Sequence, residues 1–162
     1  MAVFYSFHYE RDVYRVQLIR NIGSVEGQKL LNAQEWEAVR ARGTKAIQNW
    51  IDEQMKWKNA VVVLIGAQTA SRPWVQYEIQ RAWYLGKPLL GIRIHGLSSM
   101  GSIDAEGANP FCSIDGIEGY NSKIPIFDPT QRDFRGKIDS KATYGELSAN
   151  LKFWVGQGYF RK

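Results

Sequence analysis

The run AVVVLIG, residues 60 to 66, constrains this chain more than any other stretch. A strand with one wet face alternates apolar and polar side chains. An unbroken apolar run rich in β-branched residues and closed by glycine must instead be covered on both faces. The chain therefore needs a central strand of a parallel sheet with helices packed above and below it.

The flanking segments supply those layers. AVFYSF, near the start, reads as a short strand running into the polar turn HYERD, where Asp12 is placed to cap a helix over VYRVQLIRN. IGSVEGQ reads as a loop, KLL at 29–31 as a short edge strand, and NAQEWEAVRAR as a brief helix opened by Asn32 and broken by Gly43. From Thr44 onward, Ile47, Trp50, Ile51 and Met55 share one stripe of an amphipathic helix. A further helix starts near Ser71 with Pro73 in its first turn, where a missing N–H does little harm. GKP ends it, and LLGIRI is the next buried strand.

Residues 95–123 carry glycine, serine and asparagine without helical or strand period, so they read as a long irregular insertion. Loops of that length commonly cover a site or bind something. KIPIF is a last short strand, and TYGELSANLKFWV a closing helix with Thr143 and Glu146 as a capping box. Strands alternating with helices predict an α/β fold of the flavodoxin-like kind: a parallel sheet of order 2-1-3-4-5 with helices on both faces. The 162 residues are expected to form one domain, 1–162, interrupted by the insertion.

Several classes are disfavoured. MAVFYSF has no charged start, and no stretch approaches the roughly 18 apolar residues of a membrane helix, so neither a signal peptide nor a membrane partner is expected. One cysteine, Cys112, permits no internal disulfide, and with only His8 and His95 beside it no metal cluster is expected. A cytoplasmic setting follows. Cys112 has no basic neighbour in sequence and reads as a buried or inert thiol. The net charge of +5 is scattered, which suits a solvated surface and tolerates a dinucleotide's phosphates without demanding nucleic acid. The chain lacks Gly-x-Gly-x-x-Gly, a phosphate loop and a Gly-x-Ser-x-Gly elbow. Strand three ends in LIGAQT, without a phosphoacceptor aspartate, and SFHYERD lacks the hydroxyl-rich cradle of a flavodoxin.

Ligands of such sheets sit at the carboxyl ends of the strands, near the switch between strands one and three. Those ends are SFHYERD and GAQTASRPW. The helix leaving the second carries an oddly placed acid. At about 100° per residue, Glu78 falls in the half of the wheel that holds Trp74, Val75, Ile79, Ala82 and Trp83. A carboxyl held against such neighbours loses hydration, which raises its pKa and suits it to acid–base work or to stabilising a nearby cation. The competing reading is a solvated or ion-paired glutamate at an apolar edge. Trp74 has a competing reading as a core residue, Ser6 and Phe7 as strand-end residues, and His8 as a surface turn histidine.

VFYSFHYERD, AVVVLIGAQTASRPWVQYEIQRAW and GKPLLGIRIHG together resemble the TIR superfamily, in particular the bacterial TIR-like branch of Thoeris antiphage systems, the ThsB proteins. The resemblance runs in order over residues 2–95, and NPF at 109–111 is similar to the same branch. Its most specific element is Ser71-x-x-Trp74-x-x-x-Glu78. The resemblance implies that Glu78 is the catalytic residue of NAD cleavage, that Trp74 lies against the nicotinamide-side ribose, and that Ser6, Phe7 and His8 line the pocket. It further implies NAD as substrate with no cofactor or metal, and a cyclic ADP-ribose type product. That product would act as a signal to a separate ThsA-like effector. A phage component would be the trigger, and a homo-oligomer is open. QKLLNAQEW and the absence of an early acid in VFYSFHY depart from the family pattern. Two alternatives remain: another N-glycosidic enzyme such as a nucleoside deoxyribosyltransferase, and a non-catalytic TIR interaction or adaptor module.

Overall fold

The computed structural model describes residues 1–162. Five strands form one parallel sheet: β1 (Ala2–Ser6), β2 (Glu26–Gly27), β3 (Ala60–Ile65), β4 (Leu89–Arg93) and β5 (Ile126–Phe127). Their order is β2-β1-β3-β4-β5, with every pairing parallel, as the sequence pattern predicts. Five α-helices complete it: α1 (Tyr9–Arg20), α2 (Ala33–Ala41), α3 (Thr44–Met55), α4 (Pro73–Tyr84) and α5 (Ser140–Val155). No helix is long and apolar enough to cross a membrane.

All six residues of β3 are buried, and they alternate between two cores. Val61, Val63 and Ile65 pack with Ile47, Ile51 and Met55 of α3 and Val75, Ile79 and Ala82 of α4. Val62 and Leu64 pack with Val16 and Ile19 of α1 and Leu147, Leu151 and Val155 of α5. Each such buried aliphatic side chain contributes about 1.5–3 kcal/mol, which fixes β3 as the shared spine of both layers.

Three local expectations are corrected. Helix α1 starts before Asp12: His8 is its N-cap, and Asp12 points inward to Arg15 Nη1 at 3.0 Å. Helix α5 starts before Thr143. Asp139 caps it by accepting from the Ala142 N–H at 3.0 Å, while the buried Thr143 hydroxyl donates to the Asp139 carbonyl and accepts from the Gln131 N–H. A carboxylate at the N-cap is the stronger start signal, and the threonine is used to hold the preceding loop. The KLL segment is not a strand; β2 lies just before it, at Glu26–Gly27. By contrast, Asn32 does open α2, in a capping box with Glu35, and Gly43 takes a φ of +94° that stops it.

The 95–123 insertion is irregular but docked. It contains two short 3₁₀ turns, Pro110–Ser113 and Asn121–Lys123, and it buries Phe111, Ile114 and Ile117 in the α3–α4 core. The NPF stretch is its anchor: Asn109 accepts from the Phe111 N–H at 2.8 Å and turns that ring inward.

Candidate functional site

At the carboxyl end of the sheet, β1 runs out at Ser6 and delivers Phe7 and His8 to the surface of a cleft. Arg72, Trp74 and Val75, at the start of α4, form the opposite side. Pro73 occupies the first helical position and holds Arg72 extended, so α4 begins abruptly beside the strand ends. The remaining walls come from Gln28–Leu31 and from Trp36 and Trp50 of the α2–α3 pair, whose rings meet edge-on at 6.1 Å. The cleft encloses about 680 Å³ including its open mouth.

Glu78 lies one turn along α4 from Trp74. The buried stripe of that helix is Val75, Glu78, Ile79, Ala82 and Trp83, so the acid sits in the middle of an apolar face. Its residue is 8% exposed. Ser6 Oγ donates to Glu78 Oε1 at 2.7 Å. Burial pushes the carboxyl up to about 8, against the opposing pull of the Ser6 hydroxyl. No basic side chain pairs with it, so Glu78 is neither a solvated nor an ion-paired residue. A carboxyl in this state can hold a proton, or can ionise when a positive charge arrives beside it.

The structure brings Ser6 and Glu78 into direct contact. Phe7, His8 and Trp74 line the cleft; Ser6 and Glu78 do not, and reach it only through their neighbours, Ser6 preceding Phe7 on the chain and Glu78 lying one turn beyond Trp74 and Val75. Trp74 is half-buried and packs edge-on against Tyr77, with centroids 5.7 Å apart. His8 is buried, not a surface turn residue, and its pKa is lowered first by burial and then by the Arg72 guanidinium. Ser71 turns away, donating to the Gln68 carbonyl at 3.1 Å. Cys112 is exposed, contrary to a buried thiol. No group of three or more His, Cys, Asp or Glu residues converges to hold a metal ion.

No residue of the 95–123 insertion lines the cleft, but the insertion does reach the carboxyl edge of the sheet: Gly107 lies directly against Gly66 and Ala67 at the end of β3. Further contacts hold it to the end of β4, where Arg93 donates to the Gly107 carbonyl at 2.7 Å, to α4 through Gln80 and the Asp115 carbonyl, and to α1 through Arg11 and Asp104. Sequence reasoning also missed Trp36, Trp50, Tyr9, Gln28, Leu30 and Leu31 as cleft residues. Trp36 had a signal: it is the one large aromatic on a helix that buries no residue fully.

A 2-1-3-4-5 parallel sheet with helices on both faces places the chain among α/β proteins of the flavodoxin-like and TIR-like kind. The family described as "Thoeris protein ThsB, TIR-like domain" matches residues 4–99, and this chain belongs to it. It is 32% identical over 115 residues to a Bacillus cereus (strain MSX-D12) protein named "Putative cyclic ADP-D-ribose synthase ThsB1". That match covers 67% of this chain and 60% of the relative's length. Among solved structures, the chain is similar to FerB, a flavoenzyme NAD(P)H:(acceptor) oxidoreductase from Paracoccus denitrificans. The TM-score is 0.41 with 12% identity over 98% of each chain, a likeness too weak to carry an argument.

Proposed function

We propose that this chain cleaves NAD between nicotinamide and ribose and converts the remainder into a cyclic ADP-ribose type signal. A separate ThsA-like effector reads that signal in antiphage defence. The observation that carries the proposal is the buried Ser6–Glu78 pair, next along the chain to Phe7 and one turn from Trp74 in an aromatic-walled cleft at the carboxyl end of the sheet. The name of the Bacillus cereus relative supports the same chemistry.

In this reading the bond from ribose C1′ to the nicotinamide nitrogen breaks, and its electron pair leaves with neutral nicotinamide. Positive charge then develops on the ribose. Glu78, ionised by the approach of the cationic substrate, stabilises that charge from the ribose side, and Ser6 holds the carboxylate in place. Aromatic faces at Phe7 and Trp74 exclude water. A nucleophile within the same molecule then attacks C1′ and loses its proton, closing the ring. The chemistry needs neither cofactor nor metal. The protein acts in the cytoplasm, where NAD is available, with a phage component as trigger.

The test is chromatography with mass spectrometry on NAD incubated with the wild type and with Glu78→Gln, alone and in extracts of phage-infected cells. A cyclic product from the wild type, absent with Glu78→Gln, is expected. Transfer of deoxyribose between nucleobases would point instead to a deoxyribosyltransferase. No product under any condition, with defence retained by Glu78→Gln, would show an adaptor module.

A further inference from the structure

Beyond Gly27 the ladder between β1 and β2 is continued by a side chain. Gln28 Oε1 accepts from the Tyr5 N–H at 2.8 Å, and Gln28 Nε2 donates to the Tyr5 carbonyl at 2.8 Å, both in buried surroundings. A carboxamide carries an acceptor and a donor in one plane, as a peptide group does, so it satisfies both main-chain groups of Tyr5 in place of a neighbouring strand. The backbone is thereby released from the sheet. Lys29, Leu30 and Leu31 turn out to form one wall of the cleft. That wall has a second tether, the Tyr9 hydroxyl donating to the Leu31 carbonyl.

Tyr5 is also the immediate neighbour of Ser6, which donates to Glu78. One carboxamide therefore fixes two things together: the wall that faces substrate and the strand end that steadies the carboxyl. We infer that Gln28 is a positioning residue for the reaction proposed above, on which this role rests. It acts by holding the 28–31 wall and the end of β1 in register. Glutamate does not replace it when ionised, because it offers no donor to the Tyr5 carbonyl. Asparagine is one methylene too short. Leucine keeps the volume and loses both bonds.

The experiment compares the wild type, Gln28→Leu and Tyr9→Phe by two readouts. Hydrogen exchange of peptides spanning residues 2–7 and 28–32 reports the tether without any chemistry. NAD kinetics report the positioning. Gln28→Leu is expected to speed exchange in both segments and to lower kcat/KM at least about tenfold, through KM as the wall loosens and through kcat as the carboxyl loses its support. Tyr9→Phe keeps the ring and removes only the second tether. It is expected to shift exchange at 28–32 and KM in the same direction by less, and it carries the test if Gln28→Leu does not fold. Unchanged exchange would overturn the tether. Faster exchange and lower melting temperature with KM and kcat both unchanged in the folded fraction would make Gln28 structural only. A wild type that neither turns over NAD nor binds it in the Glu78→Gln form, followed by tryptophan fluorescence, would overturn the NAD reading first. This role would fall with it.

Discussion

Glu78 holds a proton that the unfolded chain would release. Its carboxyl is raised from 4.5 to about 8 by burial, so between those values the native state binds more protons than the unfolded one. Stability therefore falls as pH rises through that window and levels off above about 8. Glu78→Gln removes this titration while keeping the shape and an oxygen for Ser6. The variant is expected to melt with the wild type near pH 4 and above it near pH 9, by on the order of a few kcal/mol. Parallel behaviour at both pH values would refute the raised carboxyl. The proposed reaction has the opposite dependence: kcat/KM should climb with pH toward about 8, because that reaction needs Glu78 ionised. In Glu78→Gln the NAD-derived product should fall roughly a hundredfold or more. Trp74 separates packing from binding. As a half-buried ring at the cleft, Trp74→Ala is expected to raise KM while costing clearly less stability than the roughly 3–5 kcal/mol of a fully buried aromatic. A collapse in melting temperature with normal kinetics in the folded fraction would show a core residue. Glu78 was legible in the sequence because a helical wheel is a local property: its apolar neighbours lie within two turns of the same helix. Ser6 was not legible as its partner, since 72 residues separate them and only the pairing of β1 with β3 brings them together.

Among the elements, the 95–123 insertion shows where periodicity stops informing. Its glycines, serines and asparagines read as an irregular loop, yet it is clamped to α1. Arg11 grips Asp104 with two hydrogen bonds of 2.6 and 2.9 Å, and buried Arg15 donates to the carbonyls of Leu97 and Ser102. Replacing the segment around SSMGSIDAEG would take the Ser102 carbonyl from buried Arg15 and Asp104 from Arg11 at once, so a single-residue change is the cleaner probe. Asp104 is held down at about 2, first by the hydrogen bond from Arg11. Its contribution is therefore present above its ordinary value of 3.8 and is lost as pH falls toward about 2. Asp104→Asn is expected to lower the melting temperature at neutral pH, with the difference fading in acid. A constant difference down to about pH 2 would show that the charge is not the cause. The KLL segment was misread for a related reason. Strand propensity says nothing about a glutamine side chain that takes over the pairing one residue earlier and frees the backbone for the cleft.

At the scale of the whole molecule, β3 is common to both cores, so neither layer has an interior of its own to retain when the other is lost. The chain is expected to unfold in one transition, with far-ultraviolet circular dichroism and tryptophan fluorescence giving superimposable urea curves. Two separated transitions would show independent units. The layer order was legible because an unbroken apolar strand admits few neighbours. The α2–α3 contribution to the cleft was not, because Trp36 and Trp50 meet only once the two helices fold back on each other. The same sheet has a further property. Both of its outer strands, Glu26–Gly27 and Ile126–Phe127, are two residues long, so the molecule offers almost no open row of amides and carbonyls at either side. A protein of this shape is a poor template for strands from other chains. Short edge strands blunt edge-to-edge pairing, which leaves helices and loops as the larger surfaces for contact with neighbours.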